Sequence, residues 1–447
     1  MSTRPGLEAF SDGFRAFLAQ SPTSYHAAAA VAQRLRAAGF AQLDERDEWP
    51  KAPGRYVLVR DGAVVAWVVP AAAGPTSPLH VLGAHTDSPG FKLKPQPTHT
   101  RAGWTVGGVE VYGGPILNTW LDRDLGVAGR VFDRSGQAHL VRTGALARIA
   151  NLAVHLDRSI NDGVALDRQQ HTEPILGASF DDPDLDLIDY LAVRAGLEPG
   201  EVTGHDLMFF DTQPSQLLGS KEQLLAAGRL DNLTSVYAGM AALAAVAGGA
   251  RGQRLLVAPA ADAAAPKAAP VIVFAAFDHE EVGSQTRTGA GGPLLEEVLE
   301  RLQTALGATD EQRLRAQADS WLISADAGHL VHPNYAQRHD PEHQPQPGRG
   351  PLLKVNAQQR YATDGAGAAL WSGLAQRAGV DVQTFVSNNS VPCGSTIGPI
   401  ASTRLGLRTL DVGVGLLSMH SARELVHLGD LQAFSRIIAA FFVEGQE

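Results

Sequence analysis

Short apolar runs of strand length, two of them closed by a histidine or an acid, constrain this chain more than any other feature. LHVLGAH (79–85), VIVFAAF (271–277), WLISAD (321–326), VQTFV (382–386) and LRTLDVG (407–413) are too short for ordinary helices. They have the near-continuous apolar character of strands buried on both faces. Helical spacing of apolar residues lies between several of them, at about 232–248, 292–306, 366–378 and 430–443, and precedes them all at 6–20 and 25–38. Ser24 is the expected N-cap of the second N-terminal helix and Gly39 its stop. The run YVLVRDGAVVAWVV (56–69) predicts a hairpin around Asp61-Gly62. Strands alternating with helices predict an α/β catalytic domain with a mostly parallel-stranded sheet flanked by helices.

The middle of the chain has a different texture. Residues 98–228 are rich in Gly, aromatic and β-branched residues, with turn signals at Gly107-Gly108, Gly113-Gly114 and Ser135-Gly136, and few helical patterns before 184–196. At 447 residues the chain is also too long for one ordinary core. The expected division is a catalytic domain from 1–97 and 229–447, interrupted by a β-rich domain over 98–228. The Ala/Pro-rich stretch 249–270 predicts an exposed loop around a short strand. A net charge of −10 and a pI of about 5.8 argue against nucleic acid or an anionic membrane as partner. The single cysteine, Cys393, forbids an intrachain disulfide and fits a reducing, cytoplasmic compartment. Residues 1–17 carry charges throughout, unlike a secretory leader, and no run matches the roughly 18–20 apolar residues of a membrane span.

Four of the five main polar clusters end a strand or follow one closely: His85-Thr86-Asp87, Asp278-His279-Glu280-Glu281, Asp326, and Met419-His420. The fifth, Asp231 in GRLDN, opens a helix. In open α/β sheets, ligands bind outside the carboxyl ends of the strands. Singly these residues have ordinary readings: His85 as a structural histidine, Glu280-Glu281 as solvated charges, Asp231 as a helix N-cap, His420 as a packing or capping group. Together, two histidines and three carboxylates suit a pair of Zn²⁺ ions, with Mn²⁺ or Co²⁺ as replacements. A carboxylate such as Asp231 can bridge two ions about 3.5–4 Å apart, and a bridging hydroxide would complete neutrality and serve as nucleophile. Of the adjacent glutamates, one would ligate and one would shuttle the proton. Asp87 is placed to orient the His85 imidazole.

With their flanking residues, these positions resemble the aspartyl aminopeptidase family of di-zinc metallopeptidases over essentially the whole chain. The resemblance is carried by HVLGAHTDSPGFKLKP (80–95), GGPILNTWLDRDLGVAGRV (113–131), RLDN (229–232), HEEVGSQT (279–286), SADAGHLVHPNY (324–335), KVNAQQRYATD (354–364), PCGSTIGPI (392–400) and MHSARE (419–424). It implies an oligomerisation role for the β-rich insert and a tetrahedral homo-dodecamer. His85 and Asp326 would hold one zinc, Glu281 and His420 the other; Asp231 would bridge them, and Glu280 would be the general base. It further implies that His155, in NLAVHLDR, reaches a neighbouring subunit's site, and that Lys354 engages an acidic first residue of a peptide. The plainer readings are a histidine buried on an apolar helix and a strand lysine with a solvated head. Tyr361 would orient neighbouring groups or merely pack. The family's Asn-Asp-x-Pro-Cys-Gly reads Asn389-Ser390-Val391-Pro392-Cys393-Gly394 here, losing a carboxylate, and the stretch between Asn161 and His171 is short. The competing functions are an aminopeptidase with a shifted first-residue preference, a related metal-dependent deacylase, and a catalytically silent scaffold.

Overall fold

The computed structural model describes residues 6–51, 53–248 and 269–444. The stretch 249–268, with the short strand expected in it, lies outside the described residues. Among those described, the strands form sheets of nine, six and five.

The nine-stranded sheet runs in the order Ala41–Gln42, Gly54–Arg60, Ala63–Val69, Val271–Phe277, Leu79–His85, Trp321–Ala325, Arg408–Gly413, Leu352–Val355, Gln383–Val386. The four strands from Val271–Phe277 to Arg408–Gly413 are mutually parallel, and the expected hairpin pairs antiparallel beside them. Alternation along each strand sends side chains to two separate cores. Leu82, Ala84, Ile272, Phe274, Ala276 and Ile323 meet the helices Leu7–Gln20, Ser24–Ala37, Leu230–Ala247, Gly365–Ala378 and Leu428–Val443. Leu79, Val81, Val271, Val273, Ala275 and Leu322 meet Leu294–Ala305 and Ile397–Leu405. Full burial of each larger side chain contributes about 1.5–3 kcal/mol. Charged or titratable residues buried inside these strands are hydrogen-bonded, His80 Nδ1 lying 2.9 Å from the Phe441 carbonyl and Asp411 accepting from Thr396 and from Ala362 N–H.

The helix Leu230–Ala247 is apolar and long enough to cross a membrane by composition, yet its apolar window is 83% buried in the protein. It crosses the sheet so closely that a Cβ on Gly239 would lie 2.5 Å from Leu82 Cδ2 and 2.8 Å from Phe274 Cε2. Glycine there lets the helix seat its first turn over the strand ends.

The six-stranded sheet is antiparallel and draws its strands from residues 90–211, with the helix Leu187–Arg194 packed on its core. Its strand Gly90–Arg101 begins five residues after His85. The five-stranded sheet joins Gln216–Leu218 and Leu224–Ala227 to Glu424–His427, Gly415–Leu417 and Gly328–His329.

One local expectation is corrected. Thr23, extended at φ −141° and ψ 168°, occupies the N-cap, and Ser24 is the first helical residue. Gly39 does end that helix, with φ +88°. The helix Asp310–Ala318 was not anticipated: it is polar almost all round, and only the Thr309–Gln312 capping box marks its start.

Candidate metal centre

Parallel neighbours bring three polar segments to one edge of the nine-stranded sheet. His85 closes its strand, Asp278 follows Phe277, and Asp326 follows Ala325. The His85 Nε2 lies 3.3 Å from Asp326 Oδ1 and 3.4 Å from Asp231 Oδ1. Its Nδ1 is 3.0 Å from the Asp87 carbonyl and 3.4 Å from the Asp87 carboxylate. A proton on Nδ1 therefore donates to Asp87 and leaves the Nε2 lone pair facing the carboxylates.

Asp231 sits in the first turn of its helix, but its backbone (φ −80°, ψ 106°) is not helical, and its side chain does not cap the helix. Instead its two oxygens divide: Oδ1 faces His85, and Oδ2 lies 3.4 Å from His420 Nε2. His420 also meets Glu281 Oε2, at 3.5 Å. Glu280 and Glu281 occupy one short turn after the left-handed residue His279 (φ +65°). The result is three groups of donors, each with ligand atoms within 4.8 Å of one another: His85, Asp231 and Asp326; His85, Glu280 and Glu281; Asp231, Glu281 and His420.

Residues around this cluster hold it in place. The Asp87 carboxylate accepts the Tyr112 hydroxyl at 2.8 Å, the Glu280 N–H at 3.0 Å and the Glu281 N–H at 3.1 Å. The Gly114 carbonyl lies 3.0 Å from His420 Nδ1, which frees the opposite nitrogen to face Asp231 and Glu281. Ile116 N–H donates to the His420 carbonyl at 2.9 Å. Tyr112, which ends a strand of the six-stranded sheet, and the segment just after it thus complete the site. Neither Tyr112 nor Glu424, a buried acid beneath the cluster, was singled out in the sequence; Glu424 adjoins Arg423 and reads there as an ordinary charge pair.

Lys354 is 1% exposed, which removes the reading of a solvated head. Its Nζ lies 3.2 Å from Asp326 Oδ2 and 5.3 Å from the centre of the Tyr361 ring. Tyr361 is buried against Leu352 and Phe385. His155 is exposed in a run of turns, not buried on a helix, and stands apart from the donor groups of its own chain. Ser390 lies in an exposed turn, its N–H on Asn388 Oδ1 at 2.8 Å.

The electrostatics follow from crowding acids out of water. Burial pushes Glu280 up to about 7 and Glu281 well above the ordinary carboxylate range, with nearby carboxylates adding to both. Burial also disfavours a charged His420, yet Asp231 and Glu281 raise it to about 10. Despite burial, His85 is raised by Asp231, Asp326 and Asp87. The cluster thus favours added positive charge. Asp231 Oδ1 and Glu281 Oε1 are buried and, among the described residues, have no hydrogen-bond donor. Such acceptors, with two imidazoles and no thiol, fit zinc.

A family model described as aminopeptidase I zinc metalloprotease (M18) matches residues 17–442. A probable M18 family aminopeptidase 2 of Streptomyces avermitilis is 51% identical over 433 residues, spanning 96% of this chain and 97% of that one. A protein of the same description from Mycobacterium bovis is 43% identical over 443 residues, 97% of this chain and 98% of that one. Among solved structures, that of the Ape4 and Nbr1 complex is similar at a TM-score of 0.91 and 31% identity, over 98% of this chain and 86% of that chain. The S. cerevisiae mApe1 dodecamer is similar at 0.82 and 29%, over 98% and 97%.

Proposed function

This chain belongs to the M18 peptidase family and is a zinc metallo-aminopeptidase, and from that premise we propose that it works with two zinc ions and prefers peptides beginning with Asp or Glu. The observation that carries the two-ion reading is the division of Asp231, one oxygen toward His85 and the other toward His420. His85 and Asp326 would hold one ion, Glu281 and His420 the second, with Asp231 between them; Mn²⁺ or Co²⁺ are replacements the same donors accept. Such a pair supplies Lewis acidity, polarising the scissile carbonyl and bringing the pKa of a water toward neutrality.

The chain's own residues do the rest. Glu281 reaches toward His420, while Glu280, its neighbour in the turn, lies near His85 in the group with Glu281 but outside the group formed by Asp231, Glu281 and His420, and makes no ion pair with His420 among the described residues. That leaves the Glu280 carboxylate to take the proton of the attacking water and return it to the leaving amine. Asp87 holds the His85 ring and the backbone of both glutamates in register. His155 would act at a neighbouring subunit's site. Its exposure beside Leu152, Val154 and Leu156 supports assembly through this segment, and the dodecameric yeast relative supports a homo-oligomer of that size. The 98–228 segment would be the assembly unit, and the cytoplasm is the proposed compartment.

The acidic preference rests on the motif resemblance. A second reading, a neutral first-residue preference, is favoured by the Lys354 head being engaged on Asp326 and by Ser390. The test is initial-rate hydrolysis of Asp, Glu, Leu, Ala and Lys chromogenic substrates and an N-acetylated Asp control, with chelator and with zinc restored. Chelator-sensitive cleavage of Asp and Glu alone supports the acidic reading; a neutral preference supports the second. Release of the chromophore from the acetylated control would mean that no free amine is required, and no release from any substrate with zinc restored would favour the deacylase or silent-scaffold reading.

A further inference from the structure

Beneath the donor cluster lies a carboxylate that faces none of the proposed ions. Glu424 opens the strand Glu424–His427 and is 2% exposed. Antiparallel pairing sets it opposite Ala227, just before the turn that leads to Asp231. Its oxygens separate onto two amides from distant parts of the chain: Oε2 accepts the Asp231 N–H at 3.0 Å, and Oε1 accepts the His420 N–H at 2.8 Å. The side chains of those same two residues then meet at 3.4 Å on the other side.

Both backbones need such support. His420 is a non-glycine residue at φ +66°, in the left-handed region that L side chains disfavour. Asp231 is held out of helical geometry at the start of a helix. By contrast, His85 and Asp326 take their positions from the strands they close. We propose that Glu424 is a positioning residue of the metal centre, fixing the backbones of Asp231 and His420 so that their side chains stay aimed at one shared cation. The proposal rests on the two-ion reading above and extends it: the second ion's geometry depends on this acid, the first ion's much less.

The chemistry that makes the clamp also makes it testable. A carboxylate offers two acceptor oxygens, whereas the isosteric amide of glutamine offers one acceptor and one donor group. Glu424→Gln keeps the shape and sets an NH₂ against one of the two backbone N–H groups. The experiment is titration of the metal-stripped full chain with Zn²⁺ in competition with a chromogenic chelator, wild type beside Glu424→Gln. Wild type is expected to take up two equivalents. In the variant, the equivalent that depends on both Asp231 and His420 should weaken about 10–100-fold, as for other loss of ligand support, and the equivalent that shares only Asp231 should weaken markedly less. Raising free zinc by the same factor should restore kcat with KM unchanged, a rescue that general loosening of the fold would not give. Equal weakening of both equivalents, or no change in either, would overturn the proposal. A wild-type chain binding one equivalent would sink the two-ion reading, and this inference with it, before any variant is compared. Should Glu424→Gln not be obtained folded, Glu424→Asp is titrated against the same outcomes, since it keeps both acceptors but withdraws them by one methylene.

Discussion

The two halves of the proposed metal centre are built by different means. The His85 and Asp326 half is held by the sheet. Asp326 N–H donates to the Val412 carbonyl at 3.0 Å, and Thr86 N–H, beside His85, to the Phe277 carbonyl at 2.8 Å, so the ladder continues to the proposed ligands. The Glu281 and His420 half is held by side chains and carbonyls from elsewhere: Asp87 on the turn of Glu281, Gly114 and Glu424 on His420. The first half is as rigid as a parallel sheet buried on both faces. The second is only as rigid as a few charge-assisted hydrogen bonds, each contributing about 1.5–3 kcal/mol. Residues that touch no ion therefore matter more in the second half.

Four substitutions, from the largest expected effect to the smallest, put that contrast at risk. Glu280→Gln leaves both halves intact, so turnover should fall about 10²–10⁴-fold with zinc content unchanged by metal analysis. A parallel loss of zinc would make Glu280 a ligand and redraw the second half. Lys354→Met removes the cation beside Asp326 and strikes the first half; breaking a buried pair costs about 3–5 kcal/mol, read as a lower denaturant midpoint in the metal-free chain. Equal rate losses on acidic and neutral substrates would tie Lys354 to Asp326, and a loss confined to acidic ones would tie it to specificity. Asp87→Ala touches both halves, so both zinc affinities should drop, by about 10–100-fold. A drop in one alone would show the halves to be independent. Tyr112→Phe removes a single donor to Asp87, one of three, and about 1.5–3 kcal/mol of stability should go with it, measured in denaturant, with little change in zinc affinity.

The same contrast decides what was legible in the sequence. His85 and Asp326 could be read because an apolar strand in a parallel sheet can end only at the ligand-binding edge, so its last polar residue has one place to be. The core strands and the helices flanking them were legible for a related reason, since burial on both faces leaves a long apolar signature. The supports of the second half leave none. The Gly114 carbonyl lies 306 residues from His420 along the chain, and a backbone oxygen has no sequence mark. Glu424 beside Arg423 has the look of a surface pair until the strand Leu224–Ala227 is laid against it. Lys354, between Leu353 and Val355, gives no hint that an aspartate waits for its head inside the protein.

The buried acceptors Asp231 Oδ1 and Glu281 Oε1 have a consequence outside catalysis. A cation that binds the folded chain and not the unfolded one stabilises it by an amount that grows with the logarithm of its concentration, about 1.4 kcal/mol for each tenfold rise above the dissociation constant at one site. Lifetime against proteolysis is thereby linked to the free zinc around the molecule. In scarcity the folded fraction falls, so resistance to protease should drop when chelator is added and return when zinc is restored.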